Sequence, residues 1–120
     1  MDTFSWLIIG HLVGDWCLQN RWMAEGKLRG AASGPLLVHC CIYTVAVSGG
    51  ALFALGGQAA WWEIAGFGGA VWVSHWLIDG LNLAYHWGRL TRQSDTAVVR
   101  MGVDQTLHVG VVGCAALWIG

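Results

Sequence analysis

The apolar positions of this chain fall into four long runs. They span 4–22, 36–56, 60–87 and 101–119. Each is close to or above the ~20 apolar residues that an α-helix needs to cross a bilayer. Short polar or glycine-rich stretches separate them. The pattern therefore predicts an all-α protein, an integral membrane four-helix antiparallel bundle forming a single domain over 1–120. The first run does not read as a cleaved signal peptide. Asp2 stands where a basic start is expected, and no small-residue cleavage site follows.

Polar residues interrupt the runs at regular intervals. The first run carries His11, Asp15 and Gln19, and the second carries His39 near its start. The third carries His75 and Asp79, and the fourth Asp104, Gln105 and His108. Spacings of four put each His/Asp pair on one helix face. The order is His then Asp in runs one and three, and Asp then His in run four. In an antiparallel bundle this reversal sets His11, His75 and His108 at one depth. Asp15, Asp79 and Asp104 then sit ~6 Å nearer one membrane face, with His39 in or just beyond the carboxylate layer.

Composition agrees with a membrane setting. Hydrophobic residues make up 56% of the chain and charged ones only 11%, against ~25% in soluble domains. The mean hydropathy is +0.54. A net charge of −1 leaves no basic footprint for nucleic acid. All six basic residues lie in two connections, Arg21, Lys27 and Arg29 in the first and Arg89, Arg92 and Arg100 in the third. The positive-inside rule makes those connections cytoplasmic and puts both termini outside. The polar residues then occupy the cytoplasmic half of the bilayer.

A lone buried His is usually a hydrogen-bonded core residue. Four His and three Asp converging in a membrane are a different case, because intramembrane ionisable groups are costly and functional by default. Three carboxylates together repel unless something neutralises them. The basic residues lie in loops, where only Arg21 or Arg100 is expected to reach inward. A divalent metal held by His11, Asp15, His39, His75, Asp79, Asp104 and His108 meets the requirement, as in bundles that ligate metals from facing helices. Imidazole and carboxylate ligands suit Zn²⁺ first, with Mn²⁺ or Fe²⁺ as alternatives. Seven ligands exceed one tetrahedral zinc and suffice for two ions. The four cysteines form no CxxC pair and read as small apolar residues.

HLVGD at 11–15 is similar to HWLID at 75–79, an offset of 64 residues. The two halves read as parallel-repeated helical hairpins, related by an axis along the membrane normal. Gly10 with Gly14 and Gly66 with Ala70 are small-xxx-small pairs that allow close helix approach, within one chain or in a homo-oligomer.

The segments GHLVGDWCLQNRWMA (10–24), LLVHCCIYT (36–44), SHWLID (74–79) and VDQTLH (103–108) resemble the hallmarks of a family of small bacterial and phage integral membrane proteins, domain of unknown function 3307. More remotely the pattern is similar to membrane-bound metal-dependent hydrolases. The resemblance implies the same polar set, with Gln19 and Gln105 included, and a bacterial inner-membrane location.

Two functions fit. In a metal-dependent hydrolase the metal would polarise a phosphoryl or carbonyl oxygen and supply a water of lowered pKa. Asp15 or Asp79 would act as catalytic general base, and Gln19 or Gln105 would orient ligands or substrate. Lys27, Arg21 or Arg89 would hold an anionic membrane-lipid headgroup, although orientation alone accounts for those basic residues. No GxSxG or HExxH motif is present. The alternative is a non-enzymatic metal- or proton-handling protein, or a structural subunit fastened by its metal. The outer half carries few polar residues beyond Thr44 and Ser48, which argues against a through-channel.

Overall fold

The computed structural model describes residues 1–92 and 96–120. Among them every regular element is helical. Helix α1 (Thr3–Leu12) runs into a π-helical turn, Val13–Cys17. A short helix α2 (Arg21–Gly26) and a 3₁₀ turn (Lys27–Arg29) follow. Then come α3 (Gly34–Ala54), α4 (Trp61–Gly80), α5 (Leu83–Thr91) and α6 (Ala97–Ile119). Helix α1 packs on α3 and α6, and α4 packs on the same two, so the long helices form a ring in the order α1, α3, α4, α6.

Local chemistry sets the ends. Ser33 caps α3 through the Leu36 N–H, and Pro35 sits in its first turn. Thr96 caps α6 through the Val99 N–H. Asp2 caps α1 through the Ser5 N–H at 2.7 Å. These ends agree with the apolar runs to within a few residues.

Two runs differ from expectation. The run 4–22 is not one helix. The Leu18 N–H bonds the Val13 carbonyl at 2.9 Å, five residues back, and regular helix stops at Cys17. Asn20 then caps α2 by accepting from the Met23 N–H at 2.9 Å. The run 60–87 breaks as well. Leu81 and Asn82 cap α4 on the carbonyls of Leu77 and Asp79, and Asn82 takes a left-handed φ of 49°. Asn tolerates that conformation because its short side chain bonds locally. Periodicity could not show either break, since apolar residues continue on both sides.

Both breaks follow an expected site carboxylate, Asp15 and Asp79. An offset of 64 residues carries 21–26 to 85–90, inside α5, and 34–54 to 98–118, inside α6. Each half is thus a long helix, a break, a short helix and a second long helix.

Among the described residues two helices, Gly34–Ala54 and Ala97–Ile119, are long and apolar enough to cross a membrane. The expectation of four such spans is met only to that extent. The α1 run ends at Cys17, about 22 Å from its start, short of the ~30 Å hydrocarbon core.

One end of the ring is an apolar core of Leu7, Tyr43, Val47, Ala51, Phe67, Val71 and Val112. The other end buries His11, Asp15, His39, His75, Asp79 and His108. Gly10 and Gly14 permit the tight α1–α3 crossing. A Cβ at Gly10 would lie 2.7 Å from the Ala46 carbonyl oxygen, and one at Gly14 would lie 2.9 Å from the Tyr43 Cα. That small-residue pair is used inside the chain and does not form an outward oligomer face. A Cβ at Gly66 would meet nothing within 4 Å, and Ala70 is exposed.

Gly10→Ala is expected to force α1 from α3 and lower stability by about 1–3 kcal/mol, the usual cost of overpacking. Gly66→Ala is expected to be neutral or slightly stabilising. Thermal unfolding of both variants in the same detergent checks this.

Candidate functional site

Asp79 sits in the last turn of α4, and four partners surround it. Lys27 Nζ lies 3.0 Å from Oδ2, His75 Nε2 3.2 Å and His39 Nε2 3.6 Å, while His108 Nε2 lies 3.4 Å from Oδ1. Asp15, in the π-helical turn, is the second carboxylate. Its Oδ1 meets His39 Nε2 at 3.1 Å, and its Oδ2 accepts from Gln105 Nε2 at 3.0 Å. The extra residue of a π turn is a frequent device at functional sites, and here Asp15 stands in the middle of it. Asp104 is less enclosed, with 24% of its side chain exposed.

Ligand atoms from these residues form two groups. Asp15, His39, His75 and Asp79 make one, and Asp15, Asp104 and His108 the other. Within each group the atoms all lie within 4.8 Å of one another. Six of the seven expected ligands are thereby brought together, and Asp15 is common to both groups. The expected separation into a histidine layer and a carboxylate layer does not persist at the side-chain ends, because Asp79 reaches imidazoles of three helices. Asp15 and Asp79, the expected alternatives for a general base, both lie inside the ligand groups.

His11 is the exception. Gln105 turns its amide nitrogen to the carboxylates of Asp15 (3.0 Å) and Asp104 (3.3 Å). Its oxygen therefore faces N–H donors, from Trp16 Nε1 at 3.2 Å and His11 Nε2 at 3.0 Å. With Nε2 donating, His11 Nδ1 accepts from the Tyr43 hydroxyl at 3.0 Å. Both ring nitrogens are occupied, so His11 fastens Gln105 to Tyr43 and stands outside both ligand groups.

His108 has the opposite disposition. Its Nδ1 donates to the Asp104 carbonyl at 2.7 Å. That bond fixes the ring and leaves Nε2 as the ligand atom, a usual arrangement for metal-binding histidines. His75 lies flat on Tyr43, with ring centroids 3.8 Å apart. Both nitrogens of His75, Nε2 of His108 and both oxygens of Asp79 are buried without an aligned hydrogen bond. Such atoms are costly to bury unless something ligates them. The donor set therefore fits a divalent cation.

The other expected residues divide. Arg21 pairs with Glu25 at 2.7 Å on the surface and does not enter the site. Arg89 lies over Tyr85 and donates to its hydroxyl at 3.2 Å, also away from the site. Gln19 lies in the break after Cys17, its Oε1 buried without a partner. Lys27 corrects the expectation that only Arg21 or Arg100 could reach inward. The 3₁₀ turn aims it at Asp79, and the segment is strapped over the bundle end. The Ser33 hydroxyl donates to the Gly26 carbonyl at 2.7 Å, and Trp76 Nε1 donates to the Ala31 carbonyl at 2.7 Å. Tyr43 was not anticipated from the sequence, since an apolar run gives no sign that one aromatic stacks on a polar cluster.

Burial lowers the proton affinity of Lys27, but the carboxylates of Asp79 and Asp15 outweigh it and hold the ammonium above its ordinary 10.5. A raised folded pKa means stability that is complete below pH 10.5 and is lost as pH rises through the folded value. Lys27→Met is expected to remove this alkaline loss from the pH profile of unfolding. Arg21→Ala, which breaks only an exposed pair, is expected to leave the profile as it is.

No curated protein and no solved structure matches this chain. A match over residues 3–119 does cover the whole helical ring and every residue of the site. With that coverage, the chain belongs to the family described as protein of unknown function (DUF3307).

Proposed function

We propose that this is an integral membrane protein whose His/Asp cluster holds one or two divalent cations near the cytoplasmic face and uses them to hydrolyse a lipid or another phosphoester. The observation that carries the reading is the sharing of Asp15 between two ligand groups, one fully buried and one including the half-buried Asp104. A carboxylate has two oxygens, so Asp15 can serve two ions at once, as bridging carboxylates do in helical bundles. The imidazole and carboxylate donors favour Zn²⁺, then Mn²⁺ or Fe²⁺.

The membrane setting rests on more than the two helices of spanning length. The chain exposes large apolar side chains and buries its ionisable cluster. Val45, Phe53, Leu117 and Trp118 are 65–88% exposed, while the ionisable cluster is buried. Soluble proteins show the reverse. The helix breaks at Leu18–Asn20 and Leu81–Asn82 adjoin the polar interior, the one place where irregular backbone is tolerated at membrane depth. The ring order sets α1 across from α4 and α3 across from α6, as a pseudo-twofold between parallel hairpins requires.

A bound divalent ion would act as Lewis acid and as source of an activated water. The chain's residues do the rest. Gln105 holds Asp15 and Asp104 in register through one amide. Lys27, with 26% of its side chain exposed, is the cation that an incoming phosphate meets beside Asp79. A second, non-enzymatic reading is favoured by the same Lys27–Asp79 contact. It neutralises one carboxylate from within the chain, as a proton-sharing or purely structural network would.

Elemental analysis of the detergent-purified protein separates the two. About one or two equivalents of Zn, Mn or Fe are expected, lost in His75→Ala and kept in Arg92→Ala. Full occupancy in His75→Ala would refute the site. Absence of metal after reloading would favour the proton network.

A further inference from the structure

The weakest side of the ring is the one between α4 and α6, where the helices pack less closely than either packs on its other long neighbours. A cleft of about 330 Å³ lies there, walled by Ala70, Val71, Ser74, Val111, Ala115 and Trp118. Phe67 and Trp118 also line a second space of about 420 Å³, which Gln58, Trp62, Glu63 and Ile119 wall at the outer end. Val71, Ser74, Val111 and Ala115 also line a small void of about 10 Å³, walled further by Tyr43, His75 and His108. The three spaces share walls and follow one another along α4 and α6, from the outer rim to the candidate metal cluster.

Its two ends differ in chemistry. The walls are apolar for most of their length, and Ala70 and Trp118 are exposed, so the cleft opens sideways to the surface that faces lipid. Gly66 and Ala70, the small-residue pair not consumed inside the chain, lie along it and leave it room. At the inner end stand His75 and His108, each 1% exposed, with both nitrogens of His75 and Nε2 of His108 lacking an aligned hydrogen bond. Lys27, on the far side of Asp79, adds a positive charge there. From Trp62 to Ser74 the two larger spaces cover about 18 Å of α4. That is long enough for one acyl chain, which spans ~15 Å within one leaflet of a ~30 Å core.

We propose that the α4–α6 cleft holds one acyl chain of a phospholipid, with its phosphate brought to the His75, His108 and Asp79 end. This rests on the hydrolytic reading above and names its substrate class. The chain lies against Val71, Val111 and Ala115 and ends toward Trp118. The inner void has room for about one water, so headgroup entry requires α4 and α6 to part where their contact is slightest.

The test uses the full-length protein in nanodiscs of phosphatidylcholine doped with phosphatidylglycerol that carries a photoreactive diazirine at its acyl terminus. Adducts are mapped by mass spectrometry, and metal is measured in the same samples. Adducts are expected to concentrate on Ala70, Ala115 and Trp118 over Val45 and Phe53 on the exposed face of α3. Ala70→Phe, at an exposed position, is expected to cut cleft labelling several-fold with metal content unchanged. Val45→Phe is expected to leave cleft labelling as it is. Equal labelling of α3 and the cleft, or cleft labelling that survives Ala70→Phe, overturns the proposal. So do chain-to-chain adducts across α4 and α6, which would make the cleft an interface between copies. Metal bound with no cleft labelling sinks the proposal and spares the metal site. Cleft labelling in a protein that takes up no metal keeps the lipid seat and sinks the hydrolytic reading.

Discussion

The burial of the Asp79 carboxylate is the constraint around which the structure is arranged. An isolated carboxylate in an apolar bundle carries a desolvation cost that only converging partners or a bound cation can offset. Every element that reaches Asp79 supplies one: Lys27 from the strap, His39 from α3, His75 from α4 itself and His108 from α6. Helix α1 joins through Asp15, which shares His39 with Asp79. The helices that form the ring are thus also those that assemble the site, and the cluster cannot be loosened without loosening the bundle.

The broken helices follow from the same demand. A straight helix through Asp15 or Asp79 would carry the chain onward past the cluster. The π turn and the left-handed Asn82 end the helix within a few residues of each carboxylate. The chain then folds back as a short helix. In the first half that fold-back delivers Lys27 to the polar end; in the second it leaves Arg89 outside, on Tyr85. The two halves share an offset and an architecture but divide the chemistry unequally. The first gives Lys27, Asp15 and His39, and the second gives Asp79 with His75, Asp104 and His108.

Much of this was legible in the sequence. Four apolar runs and the polar residues set within them are local properties of the chain, and they sufficed for an all-helical ring and for six residues of the cluster. The family was legible as well, from the segments that carry the polar pairs. The interruptions within runs one and three were not. Leu18 and Leu81 are as apolar as their neighbours, and a hydrophobic pattern does not record which carbonyl an N–H selects.

What the sequence determined alone was the set of groups that must be buried together, since polar residues in apolar helices have no other place to go. Only the tertiary structure decided which of them touch. His11 and His108 look alike in sequence, each paired with an Asp four residues away. Yet His11 spends both nitrogens on Gln105 and Tyr43, while His108 keeps Nε2 for Asp79. Lys27 looks like a loop charge, yet it reaches the most buried carboxylate because Ser33 and Trp76 hold its segment across the bundle end. The physical reason is the same in both cases. Helical periodicity fixes the face on which a side chain starts, whereas its partner is fixed by the helix that happens to stand opposite.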